Sequence, residues 1–213
     1  TRFAYPEIPP SQTRRVKDGI ELGNLRFSGE AVTVIPSTPG TLLVEGQRCP
    51  GIIRLWKAGG KLAVMNTVGI EDYLHGVLAG EMPAAWPPEA LKAQAVAART
   101  YALYLRETRT AAQWDVMASV EDQVYRPGEP APEIVHAVRA TRGQVLLHAH
   151  RLFPAFYHST CGGHTISPLR AMGKAGLAFL TGVPCSGCGD SPHYRWSYRV
   201  EAASLLARLR RAG

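Results

Sequence analysis

Residues 69–108 read GIEDYLHGVLAGEMPAAWPPEALKAQAVAARTYALYLRET, two helical patterns with a glutamate set between them, and this stretch decides how the chain is built. In its first part Ile70, Tyr73, Leu74, Val77 and Leu78 recur at helical spacing. Glu71 and Asp72 fall in the first turn, where the positive end of the helix dipole favours acids. Gly80 is the predicted stop. Glu81, Met82 and Pro83 follow, and Pro83 pushes Met82 toward an extended conformation. A second helix is predicted from about Pro88 to Thr108, with Pro88 in the first helical position and Glu89 in the first turn. Leu91, Ala95, Ala98 and Ala102 form a narrow stripe of mostly small side chains, suited to close packing against a neighbour. Lys92, Arg99 and Arg106 recur every seven residues along one side of the same helix.

Upstream, the period changes. AVTVIP, TLLVEG, GIIRLW and KLAVMN are short apolar runs between Ile20 and Asn66, broken by Pro39-Gly40 and Gly59-Gly60. They read as strands joined by tight turns, with antiparallel pairing. Residues 1–18 are Pro-rich and basic and read as an extended arm. Downstream, Gln113 to Glu129 is polar and irregular, and EIVHAVRATRG is predicted to be a short helix ending at Gly143. QVLLHAH and LFPAFYHST read as strands, SPHYRWSYRV as a last strand and EAASLLARLRRAG as a last helix. The expectation is one α+β domain over residues 19–213, a mostly antiparallel sheet with two central helices flanking Glu81 and a groove beside it. Because the last helix runs to the chain end, the natural protein is expected to continue further.

The 213 residues include 24 basic and 17 acidic side chains, a net charge of +7, with 46% apolar residues. That balance favours polyanionic partners, of which nucleic acid, acidic lipid and anionic cell wall are the general classes. No basic helix or aromatic RNA-stacking signature supports nucleic acid, and Arg208, Arg210 and Arg211 read as a solvated helix face. No apolar run reaches 18 residues, so no membrane-spanning helix is predicted. The chain opens at Thr1 with neither methionine nor signal peptide, consistent with removal of a leader or an anchor.

Three groups of residues carry chemistry. Glu81 would sit at the carbonyl end of the first helix, whose negative potential favours a protonated carboxyl. Met82 and Trp86 would add desolvation, which is how a glutamate becomes a general acid near neutral pH; its alternative is a polar linker or cap residue. The stretch Tyr157 to Thr165 holds Gly162 and Gly163, which let backbone approach a ligand closely, among hydroxyls and imidazoles able to hydrogen-bond a sugar. An ordinary polar loop fits it equally well. A Cys161 nucleophile lacks any Cys-His protease signature. Finally, Cys161, Cys185 and Cys188, with His164 or His193, offer the donors of a structural zinc site, C-x2-C being zinc-knuckle spacing. A disulfide between Cys161 and one of the pair competes with it outside the cytoplasm. His75, His136, His148 and His150 read as surface or packing residues.

The segment from Gly69 to Leu103, with DQVYRP, FYHSTCGGHT and CSGCGDSPHYRW following in order, resembles the SpoIID/LytB domain family, the stage II sporulation protein D and amidase-enhancer group. The resemblance covers about residues 50–205. It implies a peptidoglycan lytic transglycosylase that cuts the MurNAc–GlcNAc bond in strands lacking stem peptides and leaves 1,6-anhydro-MurNAc ends. The family's catalytic glutamate, placed before Met-Pro, maps onto Glu81. Some members carry His and Cys zinc ligands ahead of the Gln-Val-Tyr motif. Here Trp114 to Asp122 has neither, so any metal would rest on Cys161, Cys185 and Cys188.

On this resemblance no cofactor is expected for catalysis, since one carboxylate can serve as acid and then base while the substrate's own C6 hydroxyl attacks C1. Lys92, Gln94 and Arg99, then Gln123 and Tyr125, then His158, Ser159, Thr160, Gly162, Gly163 and His164 are the candidates for holding the glycan. Gln94 could instead be structural, and Lys92 and Arg99 solvated. The expected partners are glycan strands and a cell-wall amidase, the expected location is extracytoplasmic, and nucleic acid is not expected. Two rivals stand beside this reading: a glycan-binding domain that positions an amidase without cutting, and a zinc hydrolase built on the cysteines.

Overall fold

The computed structural model describes residues 2–5, 13–16, 18–22, 25–36, 42–44 and 47–212. Within the predicted arm, β1 (Arg2–Tyr5) and β2 (Thr13–Val16) are strands, and the rest of the arm lies outside the described residues apart from Asp18. The turn predicted at Pro39-Gly40 also lies outside them. The short apolar runs form β3 (Gly19–Leu22), β4 (Leu25–Ser28), β5 (Ala31–Val34), β6 (Leu42–Val44), β7 (Gln47–Cys49), β8 (Ile52–Ala58) and β9 (Lys61–Thr67). Their pairings are antiparallel throughout. The main sheet runs β10-β1-β9-β8-β5, and its one parallel pair joins β1 to β10 (Val116–Met117). Ile20, Cys49, Ile53, Leu55 and Val64 are buried together, with Val32, Val34, Leu42 and Leu62 packed around them. Alternate side chains of β8 turn inward, as a half-buried strand requires.

Two helices follow as the sequence dictates. α1 (Ile70–Glu81) buries Tyr73, Leu74, Val77 and Leu78 completely. It runs through Gly80, so the predicted stop was one residue early and Glu81 is its last residue. Met82 is then extended (φ −141°, ψ 147°), as Pro83 requires. α2 (Pro88–Thr108) buries Leu91, Ala95, Ala98 and Ala102, each with no exposed surface. A shorter α3 (Pro132–Ala140) packs Ile134, Ala137 and Val138 inward and ends three residues before Gly143.

The chain clusters into two compact units that divide between Phe156 and Tyr157. The first ends with a small hairpin, β11 (Leu147–His148) and β12 (Arg151–Leu152). The longer strands predicted there do not form: residues 153–160 are irregular. In the second unit lie α4 (Pro168–Met172), a 3-10 turn at Ala175–Leu177 and α5 (Ala202–Ala212). The predicted last strand, SPHYRWSYRV, is absent. Trp196 and Tyr198 are 83% and 72% exposed, and without a sheet to bury them their aromatic character alone makes no strand.

Candidate active site

Glu81 occupies the wall of an open cavity of about 490 Å³, with Ala79, Gly80, Met82, Pro83 and Ala84 beside it and Arg126, Glu129, Ala131 and Ile134 opposite in sequence. Its Oε1 accepts the backbone N–H of Val124 at 2.7 Å, and Oε2 has no hydrogen bond among the described residues. The carboxylate is therefore held at one oxygen and open at the other. Trp86, expected to desolvate it, is 49% exposed.

The segment that fixes Glu81 lies along one face of α1, where Gly76 and Gly80 let it come close. A Cβ on Gly76 would stand 2.3 Å from the Tyr125 ring, and one on Gly80 would stand 2.7 Å from the Val124 carbonyl oxygen. Gly80 is thus present for close approach, which explains why it does not end the helix. Arg126 donates its backbone N–H to the Gly76 carbonyl at 3.0 Å. Tyr125 stacks on Tyr73 with ring centroids 5.5 Å apart, Tyr73 donates to Gln123 Oε1 at 3.0 Å, and Gln123 Nε2 donates to the Ala98 carbonyl at 3.2 Å. Gln123 and Tyr125 are buried. Burial pushes the Tyr125 hydroxyl's pKa up, with the charges of Cys49 and Asp72 adding to the rise.

Arg99 is also buried, 1% exposed, and meets Glu71 through Nε at 3.1 Å and Nη2 at 2.7 Å. It further donates to the carbonyls of Gln144 and Val138. The structure corrects the expected placement of these three side chains: Arg99, Gln123 and Tyr125 point into the fold and tie α1, α2, α3 and the 123–126 segment together. Ahead of that segment, Asp122 accepts from Met117 N at 2.7 Å and pairs bidentately with Arg109 at 2.5 and 3.0 Å. Burial alone would raise the pKa of Asp122, but the bonds from Arg109 and Met117 carry it below the usual carboxylate value. Burial and the neighbouring Asp122 push Tyr101 up to about 12.

Lys92 is half-buried and pairs with Glu89 at 2.7 Å, and the Gln94 Nε2 is buried with no partner among the described residues. Arg126 and Glu129 are not among the sequence candidates, and His75 reads in the sequence as a surface or packing residue. Arg126 is exposed and, like Glu129, lines both the Glu81 cavity and a second one of about 230 Å³ that also includes Arg48, Asp72 and His75. Arg126 lies in the DQVYRP motif, beside the candidates Gln123 and Tyr125. His75 is half-buried, and burial lowers its pKa against the opposing pull of Asp72 and Glu71.

The remaining candidates lie in the second unit. His158, Ser159, Gly162 and His164 are exposed, and Thr160 pairs with Ser191 at 2.7 Å. Gly162 and Gly163 have φ of 68° and 101°, a region in which glycine is favoured. Cys161, Cys185 and Cys188 are free thiols whose sulfurs all lie within 4.8 Å of one another, close enough to hold a metal. No histidine belongs to this group among the described residues: His164 Nδ1 lies against the Thr165 carbonyl, and His193 is exposed. The Gly163 amide, then the Cys185 and Cys188 thiols, lower the pKa of Cys161. Cys49 stands apart, buried and accepting from Asn66 Nδ2 at 3.4 Å. No helix among the described residues is long and apolar enough to cross a membrane.

Residues 58–148 match the family model described as SpoIID, stage II sporulation protein. An uncharacterised protein of Brachyspira hyodysenteriae is 40% identical over 129 residues, 60% of this chain and 35% of that protein. Stage II sporulation protein D of Bacillus subtilis is 30% identical over 161 residues, 68% of this chain and 47% of its own length. The amidase enhancer of Bacillus subtilis is 34% identical over 151 residues, again 68% of this chain but 21% of its own length. The chain thus spans less than half of each of these relatives.

Proposed function

Since residues 58–148 belong to the SpoIID family, we propose that the chain is a peptidoglycan lytic transglycosylase working in the cell envelope, with Glu81 as its acid and base. The observation that carries this reading is the state of one carboxylate: Glu81 is anchored by Val124 N–H at 2.7 Å and presents its other oxygen to an open cavity. A general acid must be held within reach of the bond it protonates and must leave a lone pair for the proton it moves.

In the proposed reaction Glu81 gives its proton to the oxygen between MurNAc and GlcNAc as positive charge develops at the MurNAc C1. The carboxylate then takes the proton of the same sugar's C6 hydroxyl, whose oxygen bonds to C1. The glycosidic bond breaks, a 1,6-anhydro ring forms, and Glu81 ends protonated as it began. No water is consumed, and because the nucleophile belongs to the substrate, proximity does the work of a second enzyme carboxylate. Gln123 and Tyr125 act as positioning residues for the segment that holds Glu81, and Arg126 and Glu129 line the path of the strand. No cofactor takes part in these steps. Cys161, Cys185 and Cys188 lie outside them.

The test is mass spectrometry of products from stem-peptide-free glycan strands. Wild type is expected to yield anhydro-MurNAc ends, and Glu81→Gln to bind strands and release none. Substantial lysis by Glu81→Gln would remove Glu81 from this role. Glu129 shares the cavity, so hydrolysis by a carboxylate pair would instead give reducing ends that vanish in Glu129→Gln. The relative named amidase enhancer favours a second reading, in which the domain grips strands and presents them to an amidase. Binding without fragments from either protein would support it.

A further inference from the structure

The second unit is short of core. Of its described residues only Pro168 is buried, while Ile166, Leu169, Met172, Val183 and Trp196 are 47–83% exposed. A unit of roughly 55 residues without a hydrophobic core needs a staple, commonly a disulfide or a metal. The one concentration of cross-linking chemistry in it is the thiol cluster.

We propose that Cys161, Cys185 and Cys188 bind one zinc ion through three thiolates, and that this ion holds the residues from Tyr157 onward in their fold. The Cys161 and Cys188 sulfurs are 3.4 Å apart and those of Cys185 and Cys188 4.0 Å. Four sulfurs around zinc at about 2.3 Å are separated by about 3.8 Å along each tetrahedral edge. These two separations lie close to such an edge, and the Cys161 and Cys185 sulfurs are within 4.8 Å of each other. A disulfide among them would unite two thiols at about 2.05 Å and orphan the third, whereas the ion uses all three.

Main-chain bonds bring the ligands together. Cys185 N–H donates to the Gly163 carbonyl and Thr165 N–H to the Val183 carbonyl, both at 2.9 Å, so the 161–165 loop lies against residues 183–185. Ser191 N–H closes the turn onto the Cys188 carbonyl at 3.0 Å, and the Ser191 hydroxyl meets Thr160 at 2.7 Å. Cys161 N–H points at the Cys188 sulfur, 3.5 Å away, an amide aimed where thiolate charge would gather. No histidine or carboxylate among the described residues joins the group. On binding, each thiol releases its proton to solvent as its sulfur bonds to the ion, and no electron is transferred.

The inference is independent of the role proposed for Glu81, and its test does not read activity. The full chain is purified with reductant, stripped with a chelator and titrated with Co2+ and then Zn2+, following the thiolate-to-cobalt absorption in the near ultraviolet. One equivalent of Co2+ should produce the band and one of Zn2+ should remove it. Cys161→Ser, Cys185→Ser and Cys188→Ser should each weaken binding on the order of 100-fold or more, and Cys49→Ala should leave it unchanged. In wild type, hydrogen exchange should show the amides of Thr165, Cys185 and Ser191 protected only when zinc is bound, whatever the variants do to folding. Reduced wild type without the band would overturn the proposal. So would a band that persists in all three serine variants, or metal-free protein isolated without reductant that carries a disulfide within the cluster.

Discussion

Leu91 and Trp196 are both large apolar side chains, yet Leu91 has no exposed surface and Trp196 is 83% exposed. The contrast holds for the regions around them. Up to Phe156, order comes from burial: a packed sheet, helices with apolar stripes, and an arginine locked among carbonyls. From Tyr157 onward only Pro168 is buried among the described residues, main-chain bonds join the loops, and three thiols lie together. The lesson concerns where information about stability resides. In the first region it is spread over many side chains at helical or alternating spacing, and in the second, on the zinc proposal, it is concentrated in a few residues whose chemistry does not depend on periodicity.

If that contrast is right, breaking the first region's polar tie should cost most. Arg99→Ala leaves Glu71 without its partner and opens the bonds to Gln144 and Val138. Removing one member of a buried pair costs about 3–5 kcal/mol. Urea unfolding should show a loss of that size, and metal content should not change. A loss below about 1 kcal/mol, the worth of an exposed pair, would mean that Arg99 is no tie.

Acid should act next, and again on the first region. The folded pKa of Asp122 is depressed, so its contribution is fully present above the unfolded value and disappears as pH falls through the lower, folded one. Stability should therefore decline below about pH 4, near the unfolded aspartate value, and Asp122→Asn should flatten that decline. The Arg109, Tyr101 and Met117 contacts all converge on this carboxylate, so exchange at the Met117 amide should rise over the same window. A pH profile that Asp122→Asn leaves unaltered would assign the acid sensitivity elsewhere.

The same division governs what could be read from sequence. The two helices were legible because Leu91, Ala95, Ala98 and Ala102 repeat at the helical period, and Glu81 stood out between them. Gly80 was misread as a stop because a glycine that admits a neighbouring carbonyl looks, in sequence, like one that ends a helix. Arg99, Gln123 and Tyr125 were expected to face substrate on the family resemblance; only tertiary structure reveals that Arg99 is tied to Glu71 and to carbonyls, Gln123 to Tyr73 and the Ala98 carbonyl, and that Tyr125 stacks on Tyr73. In the second region SPHYRWSYRV offered the composition of a strand, but strand formation depends on a sheet to pair with and pack against. None forms there. The cysteines, by contrast, were read from type and spacing alone, and the structure brings their sulfurs together.

The smallest predicted effect sharpens the comparison most directly. A buried Leu→Ala change such as Leu91→Ala should cost about 2–5 kcal/mol, because it removes contacts the fold has already excluded from water. Trp196→Ala removes a larger side chain, but one whose surface is mostly in solvent in the folded chain as well. Surface changes of this kind stay within about 0.5 kcal/mol, and zinc affinity should be unaltered because Trp196 lies outside the thiol group. The measurement is paired denaturation of the metal-loaded variants against wild type. A cost near that of Leu91→Ala would give Trp196 a packing partner and return the region from Tyr157 onward to the ordinary case of a fold held by its apolar side chains.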